Sequence, residues 1–320
     1  MLRRNLIAGL ALSTALPGAA RANGSYGSFV QKLRTQAITA GIPASIATQA
    51  LASLTTPNPT VLKLDHHQAE FTETWATYSS HVLNPARIGQ GQTKYSASAS
   101  LFAALSSRFG VSAGPMLGIW GLETNYGAFE GDIYVLDALA TLAWDRNSTY
   151  FAHEAIKAMQ IIANGDAPAG RLTGSYAGAM GQPQFMPSVY LSTAIPFSGS
   201  GAADIWHSDA DALASMANYL VKAGWHPGQP ASEPVYSNLT SADGTGRENV
   251  QSIGYWLARG VQRLPGATPL PQNFPAAVLL PDGISGQAFF AFPNFSVIRR
   301  YNPSDFYALA TDALGRSILA

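Results

Sequence analysis

The chain has 320 residues, 47% of them hydrophobic and only 12% charged, with no cysteine and a formal net charge of zero. That length is enough for one large or two smaller hydrophobic cores. The balanced charge, without a basic stripe, excludes a nucleic-acid partner, and the lack of cysteine excludes disulfides, thiol chemistry and a lipid anchor on an N-terminal cysteine.

Residues 1–22 read as an export signal: MLRRN is basic, LIAGLALSTALPGAA is apolar, and Ala20-Arg21-Ala22 is a small-x-small cleavage site. Arg3-Arg4 loosely fits a twin-arginine signal, so the Sec and twin-arginine routes both stay open. The apolar stretch is short and interrupted by Pro17, which argues against a membrane span and for a soluble mature chain outside the cytoplasm.

From Ser28 to Leu54 the apolar spacing predicts two short helices divided at Gly41-Ile42-Pro43. A linker is expected around Thr55–Thr60, followed by an aromatic helix over FTETWATYSSHVL. Further helices are predicted over Ser98–Phe109, ended by Gly110, and over Pro115–Thr124, with Gly127 suited to the stop. Val135–Asp145, Tyr150–Ala163 and Asp209–Ala223 also carry helical spacing. Residues 226–292 are rich in Pro, Gly, Ser and Asn, with short apolar runs, AAVLL and AFFAF, that read as strands before a closing helix from Ser304 to Leu319. The expected fold class is α+β, mainly α. A helical catalytic region is expected over 23–225, and a strand- and loop-rich region with the C-terminal helix over 226–320.

Several patterns fail on inspection. Gly110-Val111-Ser112-Ala113-Gly114 matches G-x-S-x-G, but a helix rather than a strand precedes it, so it reads as a helix–helix connection. None of the six histidines forms an H-x-x-x-H pair. Asp204, Asp209 and Asp211 do not make the D-x-[DN]-x-[DN]-G run of a calcium loop.

Two stretches remain. GIWGLETNYG (118–127) holds one charge, Glu123, and helical spacing sets it on a stripe with Met116, Ile119 and Trp120. Burial beside Trp120 and the negative end of the helix dipole would both push its pKa up, towards a carboxylic acid able to donate a proton. A structural Glu paired with an arginine would show the same pattern, and no second carboxylate beside it is expected to act as a nucleophile. TGSYAGAMGQPQFMPS (173–188) combines small residues with Ser175, Tyr176, Gln182 and Gln184, neutral groups suited to sugar hydroxyls and amides. Trp120, Tyr126, Tyr176 and Phe185 offer rings for pyranose faces; a tight helix–helix crossing at the glycines would give the same composition.

GIWGLETNYG, LDALATLAWDR, TGSYAGAMGQPQFMPSVY, DALASMANYLVKAGW and PNFSVIRRYNPSDFYALA, in that order, closely resemble the B-type lytic murein transglycosylases, glycoside hydrolase family 103. The resemblance spans roughly Ser28 to Leu314. It implies a lysozyme-like, mainly helical fold whose cleft binds peptidoglycan glycan strands and cleaves them with formation of 1,6-anhydro ends. Glu123 would be the single general acid and base, and Ser175 would orient the N-acetyl group. Tyr126, Arg146, Tyr176, Gln184, Tyr219, Tyr301, Asn302 and Tyr307 would contact substrate, and Tyr78 is a further carry-over. The family's calcium loop is replaced here by IPFSGSGAADIW, so no metal or other cofactor is expected, and only Arg146 remains of an arginine pair. The expectation is a periplasmic monomer without a lipid anchor, whose partners are glycan strands and, as further candidates, other cell-wall enzymes. A hydrolytic muramidase and a non-catalytic peptidoglycan-binding protein on the same fold are the alternatives.

Overall fold

Caps and breakers written into the sequence set where most of the helices start and stop. The computed structural model describes residues 24–67 and 73–320; the expected export signal lies outside them. In chain order the helices are α1 (Tyr26–Thr39), α2 (Ala44–Leu51), α3 (Pro59–His66), α4 (Trp75–Val82), α5 (Pro85–Ala97), α6 (Ala99–Phe109), α7 (Ala113–Thr124), α8 (Val135–Asp145), α9 (Thr149–Asn164), α10 (Pro187–Thr193), α11 (Asp209–Lys222), α12 (Ile253–Ala258), α13 (Pro293–Tyr301) and α14 (Asp305–Leu319). The strands are β1 (Ile133–Tyr134), β2 (Thr173–Gly174), β3 (Ser232–Ser237), β4 (Gln251–Ser252), β5 (Val261–Arg263), β6 (Pro275–Leu279) and β7 (Ala288–Ala291). Side chains of Ser25, Asn58, Thr74, Asn84, Ser148, Ser252 and Ser304 accept first-turn N–H groups of the helices they precede.

The predicted helices form within a few residues of their expected limits. Five helices escaped the periodicity, among them the short α12 in the stretch expected to hold strands and loops. α3 starts inside the expected linker, and α5 (PARIGQGQTKYSA) has almost no apolar face, with Gly91 its one buried residue. It is set instead by the Asn84 cap, by Pro85 in its first turn and by a hydrogen bond from Arg87 Nη1 to Val82 O (2.8 Å). α10 and α13 are short and begin at prolines.

The chain gathers into two compact units. One holds residues 24–67 together with Glu123–Asn218. Its centre is α8, buried from Val135 to Trp144 except at Asp137 and packed against α1, α2, α3 and α9. Beside it β1 and β2 pair antiparallel, Ile133 opposite Gly174 and Tyr134 opposite Thr173.

The other unit holds residues 73–122 and Tyr219–Ala320. It contains an antiparallel sheet in the order β4-β6-β7-β3-β5, so the two expected strands, β6 and β7, lie at its centre. Val235, Trp256, Val278, Phe290 and Phe292 form a core against the sheet, and Glu233 on β3 holds Arg263 on β5 through two bonds of 2.5 and 2.6 Å. α14 packs on α4, α5 and α13. It also meets α7 with almost no room, because a Cβ at Gly118 would lie 2.0 Å from the Thr311 carbonyl oxygen.

Gly118→Ala therefore forces two helix backbones apart and should cost about 1–3 kcal/mol. Gly89→Ala in α5, where an added Cβ meets nothing within 4 Å, should be neutral or stabilise by up to ~1 kcal/mol through helix propensity. Thermal unfolding of the two variants checks this; equal melting temperatures would contradict the close crossing.

Candidate active site

α7 is buried on every side from Gly114 to Leu122, not along one stripe as the spacing predicts. Its apolar residues therefore say nothing about which way Glu123 faces. What singles out Glu123 is its place in the last turn, where it is half-buried. The chain then leaves through three successive left-handed residues, Asn125 (φ 50°), Tyr126 (φ 61°) and Gly127 (φ 82°). For the two non-glycine residues this conformation costs on the order of 1–3 kcal/mol each, which the surroundings must supply. Thr124 supplies part of it: its hydroxyl donates to Gln182 O (3.0 Å) and accepts from Gly127 N–H (3.1 Å), while its carbonyl accepts from Phe129 N–H (3.0 Å).

The 173–188 segment is not a helix crossing. After β2 it runs through tight turns closed by Ser175 N–H to Ala179 O (2.8 Å) and by mutual bonds between Met180 and Phe185. Ser175 Oγ accepts from Ala179 N–H (3.1 Å), which fixes the side chain at the mouth of its own turn. The space left by small residues is filled by the protein itself: a Cβ at Gly174 would sit 2.0 Å from Ala179 O, and one at Gly178 would sit 2.4 Å from Leu139 Cδ2. Gln184 (φ 51°) donates from Nε2 to Glu130 O (3.0 Å) and to Gly181 O (2.9 Å), so it joins Ser175's segment to the loop that follows Glu123. The four rings expected to face sugar are covered, with exposures of 0% for Trp120, 2% for Tyr126, 7% for Tyr176 and 2% for Phe185. The open ring is Phe129, 73% exposed in that same loop.

Arg146 stands apart from these residues, at the end of α8. Its guanidinium grips Asp65 of α3 through Nε–Oδ2 (2.8 Å) and Nη2–Oδ1 (2.5 Å), beside the His66–Asp145 pair. Among the described residues, Asp65, His66 and Asp145 form one group with donors close enough for a metal. Its carboxylates are, however, already held by Arg146 and His66. In the other unit the remaining expected residues cluster at the ends of α11 and α13 and the start of α14. Tyr219 and Tyr301 meet edge to face (4.7 Å), Tyr219 OH donates to Arg300 O (2.5 Å), and buried Asn302 accepts from Ser304 N–H (3.1 Å). Tyr307 is buried one turn into α14. Tyr78, also buried, packs against Phe306 there (5.6 Å).

Over residues 197–211, two carboxylates are occupied by backbone donors. Asp211 accepts from Phe197 N–H and Asp204 N–H, both at 2.9 Å. Asp204 accepts from His207 N–H (3.0 Å) and Trp206 N–H (3.2 Å), and Arg171 lies 3.3 Å away. Burial alone would raise the Asp204 pKa, but these donors together hold it below the ordinary value.

Sequence reasoning missed Glu130. It lines a pocket of about 500 Å³ with Arg171, Thr173, Trp206 and His207. Burial, and then the charges of Asp204 and Asp209, push its pKa up from 4.5 to about 8. Only folding brings those acids together, from 74 and more positions away in the chain, so no local pattern could have flagged it. Near neutral pH Glu130 is a carboxylic acid. The native state then keeps a proton that the unfolded chain has released, and stability falls as pH rises from about 4.5 to about 8. Glu130→Gln should flatten that fall, visible as a smaller loss of melting temperature between pH 5 and pH 8.5; an unchanged slope would contradict the shifted pKa.

With this geometry in hand, the comparisons with known proteins carry weight. Residues 25–316 match the family model described as the transglycosylase SLT domain. The chain is 33% identical over 270 residues to membrane-bound lytic murein transglycosylase B of Escherichia coli K12, covering 81% of this chain and 73% of that protein. SltB3 of Pseudomonas aeruginosa, solved with NAG-anhNAM-pentapeptide, superposes with a TM-score of 0.87 at 37% identity, over 93% of this chain and 80% of that one. The Escherichia coli lytic transglycosylase Slt35, solved with calcium, superposes with a TM-score of 0.76 at 29% identity, over 94% and 95% of the two chains. A match that runs through nearly all the described residues, helical and strand regions alike, means that the chain belongs to the transglycosylase SLT domain family.

Proposed function

We propose that this lytic transglycosylase cleaves the β-1,4 bond between N-acetylmuramic acid and N-acetylglucosamine in peptidoglycan, with Glu123 as its single acid and base. The observation that carries this reading is the setting of Glu123: a half-buried carboxylate on the last turn of a wholly buried helix, followed by a strained turn. Fixed backbone on both sides gives a proton donor one position, which is what general acid catalysis requires. Relatives solved with NAG-NAM-pentapeptide and with NAG-anhNAM-pentapeptide support both the substrate class and the anhydro product.

Protonated Glu123 donates to the bridging oxygen as positive charge develops at C1 of the muramic acid. The N-acetyl carbonyl of that sugar stabilises C1 from the opposite face, a substrate-assisted route that needs no second carboxylate. Ser175, held by Ala179 N–H, orients this N-acetyl group. Glu123, now ionised, takes the proton of the C6 hydroxyl, whose oxygen attacks C1 and closes the 1,6-anhydro ring. Gln184 lines the path of the glycan. Tyr126 and Tyr176, whose rings are covered, act as walls rather than stacking faces, and Phe129 supplies the exposed ring. Tyr219, Tyr301, Asn302 and Tyr307 are carried over as glycan contacts from their motifs. Arg146 is assigned to the fold through Asp65.

Residues 1–22 direct export, and the mature protein acts in the periplasm. No described helix is long and apolar enough to cross a membrane.

Glu123→Gln should lower turnover of purified peptidoglycan by about 10²–10⁴ with an unchanged melting temperature. Mass spectrometry of the wild-type products should show muropeptides lighter by one water than hydrolysis products. Reducing ends would make the protein a hydrolase, and near-normal turnover by the variant would remove Glu123 from the chemistry. Phe129→Ala should raise KM about fivefold, on the order of 1 kcal/mol of ring surface, and leave kcat alone. An unchanged KM would clear Phe129 of contact with the glycan.

A further inference from the structure

Gln182 is 3% exposed and makes more connections than a space-filling amide needs. Its main chain faces two ways, the N–H donating to Ile205 O (2.9 Å) and the carbonyl accepting from the Thr124 hydroxyl (3.0 Å). Its side chain donates from Nε2 to Asp209 Oδ1 (3.1 Å) and Trp206 O (3.3 Å), at the start of α11. The same side chain lies beneath Gly127: a Cβ there would meet Gln182 Oε1 at 2.9 Å and Cγ at 3.5 Å. One buried residue thus anchors the residue after Glu123, supports the end of the left-handed turn, and ties both to the 205–209 segment.

We propose that Gln182 is a positioning residue for the glycosidic cleavage, holding the 124–127 turn, and through it the Glu123 carboxylate, in the geometry that delivers the proton. The proposal rests on the reading of Glu123 as the acid. Gln182 touches no reacting atom. Without its side chain, the Asn125–Tyr126 turn loses the support that keeps two non-glycine residues left-handed, and it relaxes towards ordinary backbone. That relaxation moves the residue before Thr124. A displacement of about 1 Å at a reacting group costs on the order of 10²-fold in rate, whereas glycan contacts made elsewhere keep their affinity.

Steady-state cleavage of glycan strands by full-length Gln182→Ala and Gln182→Glu, with melting temperatures alongside, tests this. Gln182→Ala should lower kcat by about 10- to 100-fold and leave KM within about twofold. Gln182→Glu keeps the shape but, once ionised, sets a carboxylate against Asp209 and donates nothing; protonated, it donates again. Its kcat should therefore hold while the carboxyl keeps its proton and fall as it ionises, so that the alkaline limb of the profile lies below that of the wild type. The proposal is overturned if Gln182→Ala keeps wild-type kcat, if KM rises in step with the loss of kcat, or if Gln182→Glu shows the wild-type pH profile at reduced amplitude. If Gln182→Ala does not fold, the Gln182→Glu profile decides alone. Loss of turnover in Glu123→Gln alongside wild-type kcat in Gln182→Ala would sink the positioning role and leave the acid in place. Turnover by Glu123→Gln would instead remove the reading beneath both.

Discussion

A carboxylate at the end of α7 is held in place because nothing else on that helix competes for position. From Gly114 to Leu122 each side chain is buried, and at Gly118 the helix touches another backbone with no Cβ between them. A helix so enclosed cannot rotate or slide to suit a charged group; it carries Glu123 to one place, and the charge must accept the environment found there. Adaptation falls to the chain that follows. It takes the form of a sharp left-handed reversal, held by the hydroxyl of Thr124, not by further apolar packing. The division is physically sensible, since apolar packing is non-directional and fixes the helix, whereas a hydrogen bond has direction and can fix a turn.

That division also explains what was legible in the sequence. Helices with a clear apolar spacing, such as α9, or a strong stop, such as α6 with Gly110, were readable because both signals are local. α5 was not, because its helicity depends on its cap and on packing against α14 rather than on an apolar stripe of its own. The stripe assigned to α7 was an artefact of reading a wholly apolar helix through a periodic filter: in such a window any spacing finds partners.

The candidate site divides along the same line. Glu123 stood out because one charge in ten residues is a local signal, and Ser175 and Gln184 stood out through the composition of their block. The glycines in that block leave no open space: room at Gly174 and Gly178 is taken up by Ala179 and Leu139. Aromatic residues were misjudged for a related reason. A ring's type does not reveal which face is open, and Phe129, in a loop with no periodicity, proved open where Trp120 and Tyr176 are closed. Glu130 and Gln182 draw their significance from Asp204 and Asp209, partners that only the folded chain brings near.

Those partners raise a question of charge. Glu130, Asp204, Asp209 and Asp211 lie in or near one loop system of a chain that is otherwise poor in charge, with Arg171 as the cation placed among them. In such a setting each acid needs its own way of avoiding an uncompensated charge, and four are visible. Asp211 accepts from two backbone N–H groups, which close the 197–204 loop with the same carboxylate. Asp204 is held ionised by the amides of Trp206 and His207 and by Arg171. Asp209 accepts from the side-chain amide of Gln182. Glu130, which has none of these, keeps its proton. The loop is thus closed by hydrogen bonds from its own backbone to its carboxylates. The amide of Gln182, recruited to satisfy one of them, is also the group that reaches back beneath the turn after Glu123, so satisfying charge in the loop and fixing the turn are served by one buried side chain.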